Sequence, residues 1–310
     1  LNNKFNCKNM EDVIAEIFFV TSSIFASQNN YISSNFYLRL AKYLNPNFVS
    51  FDVLFAENLF LIQEYEEAKK IYTEIKNKGS AYNWHASKQI ASILIKQDKK
   101  KDAVNNLQES FKKIISPTIY EIFDYAEFLK NNEKYKKSIE YYSKVLSLID
   151  TKNPIYPHVI DSRGIAYERT DQWNKAEVDL LNSLRVSPDD AYVINYLAYS
   201  WIEKEINIEK SLEMLRKANM LKPNDGYITD SLGWALFKLK NYKEAKQYLE
   251  QAVRYMASDP VINDHYADVL WMNNKKLQAR YYWNYVLKLK KIEEKLKKEV
   301  EHKLLFGLNG

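Results

Sequence analysis

Four histidines and one cysteine are the residues of this 310-residue chain with the most chemistry to offer. None of His85, His158, His265 and His302 sits in an HExxH frame, where two imidazoles one helical turn apart would hold zinc. Only His265 has acids at helical spacing, with Asp264 beside it and Asp268 three residues on. A metal there would need a further ligand from another part of the chain, and no second histidine is close in sequence. The expectation for His265 is a helix surface or an inter-helix hydrogen bond, with no metal. Cys7 stands alone, which excludes an internal disulfide framework and a cysteine-based zinc site. The residues before it, Lys4-Phe5-Asn6, are not a lipobox. There is no GxGxxG or GxxxxGK[ST] to cradle a phosphate, and no Ser/His/Asp set can be assembled. The chain reads as a non-enzyme with no cofactor.

Acids and amides recur more regularly. Asp161, Asn195, Asp230 and Asp264 are spaced 34, 35 and 34 residues apart. Residues in such a ladder can exchange hydrogen bonds with an extended peptide or accept them from basic side chains. Whether they share a surface depends on the elements that carry them.

Composition narrows those elements. Six glycines in 310 residues is about 2%, against a usual level near 7%, and there are 7 prolines. A β-sandwich or barrel of this length needs many Gly- and Pro-rich turns, so a helix-rich protein remains. Net charge is +5, and seven Lys against four Glu between Lys288 and Lys303 supply much of it. Elsewhere the signs are mixed, unlike the basic stripe of a nucleic-acid surface. No apolar run reaches the roughly 18 residues of a membrane span. Val13–Ala26 looks a little like a signal-peptide core, but Glu11, Asp12 and Glu16 argue for an ordinary buried helix. The absence of an initiator Met at Leu1 leads us to expect a piece of a longer protein.

Self-similarity then organises the chain. With Gly226 as position 1, Leu232 and Gly233 fall at 7 and 8, Ala245 at 20, Leu249 at 24 and Ala252 at 27. This resembles the tetratricopeptide repeat, W-x2-L-G-x2-Y…A-x3-F…P, with a period near 34. Ala267, Ala279 and Val286 repeat it downstream; Gly164, Tyr167, Ala176, Leu180 and Pro188 repeat it upstream. Eight units result, starting near Ala15, Val49, Trp84, Ile119, Pro157, Ala191, Gly226 and Pro260. Small residues at 8, 20 and 27 let the two helices of a unit approach, and large ones at 7, 11 and 24 fill the space between units. The expected fold is all-α: a right-handed α-solenoid of about eight helix-turn-helix units with a C-terminal capping helix.

Two departures stand out. Thr151–Pro157 carries about four extra residues and two prolines, the best candidate for a kink. The expected organisation is four units in 1–150, a junction at 151–156, four units in 157–290, and a cap and tail in 291–310. Secondly, position 7 of the fifth unit is Arg163 where Leu is expected, so a partner is required, either Glu177 or Asp179. In the last stretch, Leu289, Ile292, Leu296, Val300 and Leu304 share one face, with Glu293/Lys297, Glu294/Lys298 and Glu299/Lys303 as i,i+4 pairs. A solenoid needs such a terminal helix with a polar outer side.

In this repeat, positions 2, 5, 9, 12 and 13 line the concave groove. Position 5 holds the ladder, whereas earlier units have Val53, Lys88 and Phe123 there. Position 9 gives Tyr199, Trp234 and Asp268; position 12 gives Ile202, Phe237 and Trp271. The candidate partner-binding groove is therefore Asp161, Asn195, Tyr199, Asp230, Trp234, Phe237, Asp264, Asp268 and Trp271. The alternative is that these acids bond the neighbouring unit and that the aromatics are inter-repeat packing.

The stretches Arg163–Arg169, Ala176–Leu180, Asn195–Tyr199, Asp230–Trp234 and Asn263–Asp268 resemble bacterial envelope-associated tetratricopeptide repeat proteins, some of which are lipoprotein adaptors for a periplasmic processing protease. The resemblance implies a non-catalytic scaffold or adaptor for a protein or peptide partner. It also implies a place in the periplasm or on the inner face of the outer membrane, with the cytoplasm as the alternative. The acidic ladder differs from the carboxylate clamp of chaperone-binding members, which presents Lys, Asn and Arg. Alternatives are an RNA-binding helical repeat, disfavoured by acids that repel phosphate, or the non-catalytic part of a longer enzyme.

Overall fold

The computed structural model describes residues 9–290 and 292–308. Among them are seventeen α-helices, one 3₁₀ turn and no strand. The chain forms two compact units, residues 1–148 and 149–310. The first contains α1 (Met10–Ser27), α2 (Tyr31–Leu44), α3 (Val49–Leu61), α4 (Tyr65–Ile75), α5 (Ser80–Lys96), α6 (Lys100–Lys112), α7 (Ile119–Asn131) and α8 (Tyr135–Leu146). The second contains α9 (Tyr156–Glu168), α10 (Trp173–Val186), α11 (Ala191–Glu203), α12 (Ile208–Leu221), α13 (Gly226–Lys238), α14 (Tyr242–Tyr255), α15 (Pro260–Met272), α16 (Lys276–Val286) and α17 (Glu294–Phe306).

Successive helices pair as hairpins, and the small-residue register is the seam of each. Position 8 (Ser22, Ala56, Ala91, Ala126, Gly164, Ala198, Gly233, Ala267) is buried in all eight repeats. So is position 20, from Ser34 and Ala68 through to Ala245 and Ala279. A Cβ at Gly233 would meet Leu249 Cγ at 2.6 Å and the Leu249 backbone nitrogen at 3.1 Å. Glycine is therefore required there by the approach of α14, despite costing about 1 kcal/mol inside a helix.

The scarcity of glycine has a structural counterpart in the turns. Each hairpin reverses through one residue in the left-handed region: Asn29, Gln63, Asp98, Glu133, Asp171, Glu205, Lys240 and Asn274, with φ between 56° and 67°. After each comes the same six-to-one closure, such as Lys134 N–H to Leu129 C=O at 2.8 Å and Asn241 N–H to Leu236 C=O at 2.9 Å. This is a Schellman closure in which glycine is the usual left-handed residue. Here side chains bear that conformation in every hairpin, at about 1–2 kcal/mol each.

In the second unit, Asp190, Asp225 and Asp259 cap α11, α13 and α15, each accepting from two backbone N–H groups. These caps fix where each first helix begins, and hence which side chains occupy position 5 one turn later. Arg163 pairs with Asp179 through two bonds of 2.7 and 2.9 Å. Glu177, the other expected partner, instead accepts from Trp201 Nε1 at 2.6 Å.

Three expectations need correction. The amphipathic segment begins its helix only at Glu294, so Leu289 and Ile292 precede it, because α16 closes at Val286 and a turn follows. Lys303 does not pair with Glu299, which lies 3.9 Å from Lys295 instead; Lys303 turns inward. Finally, α1 is not an ordinary buried helix. Only Ala15 and Ser22 are buried on it, because among the described residues nothing packs on its outer side. Cys7 lies outside the described residues.

Candidate functional site

Every residue of the expected groove lies in the second unit, on the first helices of its hairpins. Asp161 is on α9, Asn195 and Tyr199 on α11, Asp230, Trp234 and Phe237 on α13, and Asp264, Asp268 and Trp271 on α15. The period brings position 5 to the same face of each helix, but the carboxylates of the last two repeats are already engaged within the chain.

Asp230 faces His265 on the next repeat, both oxygens lying 3.0–3.1 Å from Nδ1. Both side chains are buried. Burial works against the His265 cation, and Asp230, then Asp264 and Asp268, outweigh it, so the imidazole pKa is raised. His265 stacks on Trp234 at 3.9 Å, and Trp234 stacks on Phe237 at 4.7 Å, giving three near-parallel rings. The Trp234 indole N–H donates to Glu203 at 2.7 Å, and Lys238 lies over its ring.

Asp264 and Asp268 share one cation. Lys303, reaching in from α17, lies 2.8–2.9 Å from both oxygens of Asp264 and 2.8 Å from Asp268 Oδ2. Asp268 Oδ1 accepts from Trp283 Nε1 at 3.0 Å. Burial, then the neighbouring Asp264, pushes the Asp268 carboxyl up to about 7, with Lys303 opposing. His265 thus pairs with the Asp230 carboxylate, and Asp268 with the Lys303 ammonium. Trp271 tilts against Trp283 at 5.3 Å and is approached by Lys276 and Arg280. A Cβ at Gly307, just past α17, would strike the Trp271 ring at 2.3 Å, so the cap seats directly on this indole.

Between these groups and α17 is a cleft of about 750 Å³. Tyr199, Trp234 and His265 form one wall, and Leu296, Glu299 and Lys303 the other. Among its carboxylate and basic side chains it counts six acids (Glu203, Asp259, Asp264, Asp268, Glu293, Glu299) against four bases (Arg169, His265, Lys295, Lys303). An adjoining hollow of about 310 Å³ takes in Asn195, Tyr196, Tyr227 and Asp230. Arg169 and Tyr199 border both. Asn195 Oδ1 is buried with no hydrogen-bond partner, and burial beside Glu203 and Asp230 raises the Tyr199 hydroxyl above its usual range. Phe237 backs the ring stack, whereas Asp161 sits apart, 4.0 Å from His158. His158, Asp161 and Asp190 could bring one ligand atom each within 4.8 Å of one another. Asp190 already spends Oδ1 on the cap of α11.

Sequence reasoning missed Arg169, Glu203 and the α17 wall. Position 13 of the repeat, held by Arg169, Glu203 and Lys238, carries a signal for the first two. Lys303 has none, because it returns from outside the repeat register.

Comparison with known proteins agrees with this architecture. A family model described as tetratricopeptide repeat matches residues 57–292. The chain belongs to the tetratricopeptide repeat family. Among curated proteins it is similar to the TPR repeat-containing protein PA4667 of Pseudomonas aeruginosa, 27% identical over 129 residues. That match takes in 42% of this chain and spans only 21% of the relative's length. Among solved structures, a tetratricopeptide repeat protein of Parabacteroides merdae aligns over 93% of this chain and 97% of its own, at TM-score 0.57 and 14% identity. The Thermus thermophilus TPR protein TTC0263 aligns over 61% of this chain and 100% of its own, at TM-score 0.51 and 15% identity. At these identities the likeness is one of fold. Among the described residues no helix is long and apolar enough to cross a membrane.

Proposed function

We propose that this tetratricopeptide repeat protein is a non-catalytic scaffold whose second unit holds a positively charged segment of a protein partner. The observation that carries this is the excess of acids in the cleft between Trp234 and α17, in a chain whose net charge is +5. A basic side chain entering the cleft gains from Glu203, Glu293 and Glu299, which line it without a buried cation of their own. The Asn195 acceptor in the adjoining hollow suits a backbone N–H of an extended peptide. Tyr199 and the edge of Trp234 add apolar area at small entropic cost. Asp230, Asp264 and Asp268 contribute through the field they set up, since His265 and Lys303 occupy their oxygens.

The setting we propose is a bacterial envelope complex, on the likeness of Arg163–Arg169 and Asp230–Trp234 to envelope-associated members. Cell fractionation with an antibody to the second unit checks it, and a purely cytoplasmic signal refutes it.

The binding test uses arrayed dodecapeptides of matched length and graded charge, followed by fluorescence-polarisation titration. Lys/Arg-bearing peptides should bind, and binding should weaken with salt. Glu203→Lys should abolish their advantage, and Trp234→Ala should weaken binding in a variant that still gives a helical spectrum. Equal capture of acidic and basic peptides would refute the reading.

A further inference from the structure

Five ionisable side chains meet beside the cleft: Asp230 on α13, Asp264, His265 and Asp268 on α15, and Lys303 on α17. The carboxylates and the imidazole are each more than nine-tenths buried, and the Lys303 side chain is 16% exposed. Asp230 holds His265 through both oxygens, while Asp264 and Asp268 close on Lys303. Three carboxylates (−3) thus meet two cations (+2). With all five groups charged the cluster carries a net −1, and an unbalanced buried charge is costly.

The neighbouring elements send their bases elsewhere. On α13, Lys238 lies over the Trp234 ring. On α14, Glu250 acts on Tyr266 and Tyr282. On α16, the neutral Trp283 indole donates to Asp268, while Lys276 and Arg280 lie against Trp271. On α17, Glu293 and Glu299 add negative charge to the cleft, and Lys295 is 3.9 Å from Glu299. Across the cleft are Tyr199 and Glu203 of α11, and Arg169, which lies 3.6 Å from Glu168.

Two external species can balance the cluster: a proton, or a cation lodged in the cleft that Asp264, Asp268 and Lys303 all border. The proton is available near neutrality, since burial and Asp264 push the Asp268 carboxyl up to about 7. His265 is also raised, and losing its proton at higher pH changes the cluster's charge in the same direction.

We propose that a proton on the Asp264–Asp268 pair and a basic side chain of the partner compete to neutralise the same buried charge, so that the second unit grips its partner above neutral pH and loosens it in mildly acidic surroundings. This rests on the cleft being the site for a positively charged segment. A bound cation favours the ionised pair, so binding expels a proton and tightens as pH rises through about 7. If the cation weakens proton binding about tenfold, affinity is about fivefold higher at pH 8 than at pH 6, and roughly 0.4 proton leaves per peptide at pH 7. Ordinary pairing of Lys or Arg with surface carboxylates titrates outside pH 6–8 and shows neither effect.

The test titrates the full 310-residue chain with a terminally blocked, histidine-free Lys/Arg dodecapeptide at pH 6, 7 and 8 and constant ionic strength, read by fluorescence polarisation. Isothermal titration calorimetry at pH 7, in two buffers of different ionisation enthalpy, counts the proton. Asp268→Asn imitates the protonated acid and keeps an acceptor for Trp283. It should bind at pH 8 about as weakly as the parent at pH 6, and release less than half as much proton. Affinity that is flat from pH 6 to 8, or tighter at pH 6, overturns this inference and leaves peptide binding standing. Undiminished proton release by Asp268→Asn with the parent's helical spectrum does the same. No binding of the basic peptide at any pH overturns both.

Discussion

Replacing Lys303 by Met removes the one ammonium that Asp264 and Asp268 share at 2.8–2.9 Å, while keeping the length of the stem. The lysine side chain is 16% exposed and the two carboxylates 6% and 4%, so solvent screening is small. Stripping one partner from a buried ion pair costs about 3–5 kcal/mol, because the remaining charge stays desolvated. In a unit of 162 residues (149–310) that is a fall in Tm of roughly 6–20 °C. The cost has two relief routes. Asp268, already pushed up to about 7, can take a proton once Lys303 no longer opposes it. Alternatively α17 can detach, giving up Val300, which is fully buried, and the seat of Gly307 on Trp271. The first route makes the penalty smaller at pH 5.5 than at pH 8. The second exposes residues 294–306 to trypsin. Thermal melts at both pH values with limited proteolysis distinguish them, and adding Asp268→Asn should restore more than half the loss. An unchanged Tm for Lys303→Met, or a loss identical at the two pH values with α17 still protected, would refute the reasoning.

Other predictions follow from the same geometry. The parent should be more stable at pH 5.5 than at pH 8. Native Asp268 keeps its proton up to about 7 whereas the unfolded chain loses it near 3.8, so its contribution falls as pH rises through that window. His265, raised by Asp230, contributes fully below 6.5 and loses its contribution above, adding in the same direction. The combined difference is on the order of 1–2 kcal/mol by calorimetry; greater stability at pH 8 would contradict it. Lys240→Gly or Glu133→Gly should stabilise by about 1 kcal/mol in urea titrations, since each relieves a left-handed side chain at φ near 60°. Gly233→Ala should destabilise by about 1–3 kcal/mol as Leu249 is displaced, and Gly164→Ala by less, its nearest neighbour being 3.1 Å away. Thr118→Ala breaks the capping box with Glu121 and should cost the first unit about 1 kcal/mol.

Much of the architecture was legible because the repeat needs small residues where helices touch, and steric exclusion leaves a clear mark in sequence. Ala245, Ala279 and Gly233 mark the seam without any structure. The candidate site was legible only in part. The 34-residue spacing located Asp230 and Asp264, but not their partners. His265 adjoins Asp264 in sequence yet turns to Asp230 on α13 of the preceding repeat, because adjacent helical residues point about 100° apart. Trp234, taken from spacing as a groove aromatic, is mostly spent in a stack with His265 and Phe237.

The helical character, the number of hairpins and the faces that must meet were determined by the sequence alone, since they depend on local period and side-chain size. What the tertiary structure decided is electrostatic and long-range. Lys303 closes on carboxylates 35 and 39 residues away, the chain's own cap forms a wall of the acidic cleft, and among the described residues α1 keeps an exposed apolar stripe. No periodic pattern encodes these outcomes. A charge finds its partner through the low dielectric of a folded interior, and an apolar face is buried or bare according to what packs against it.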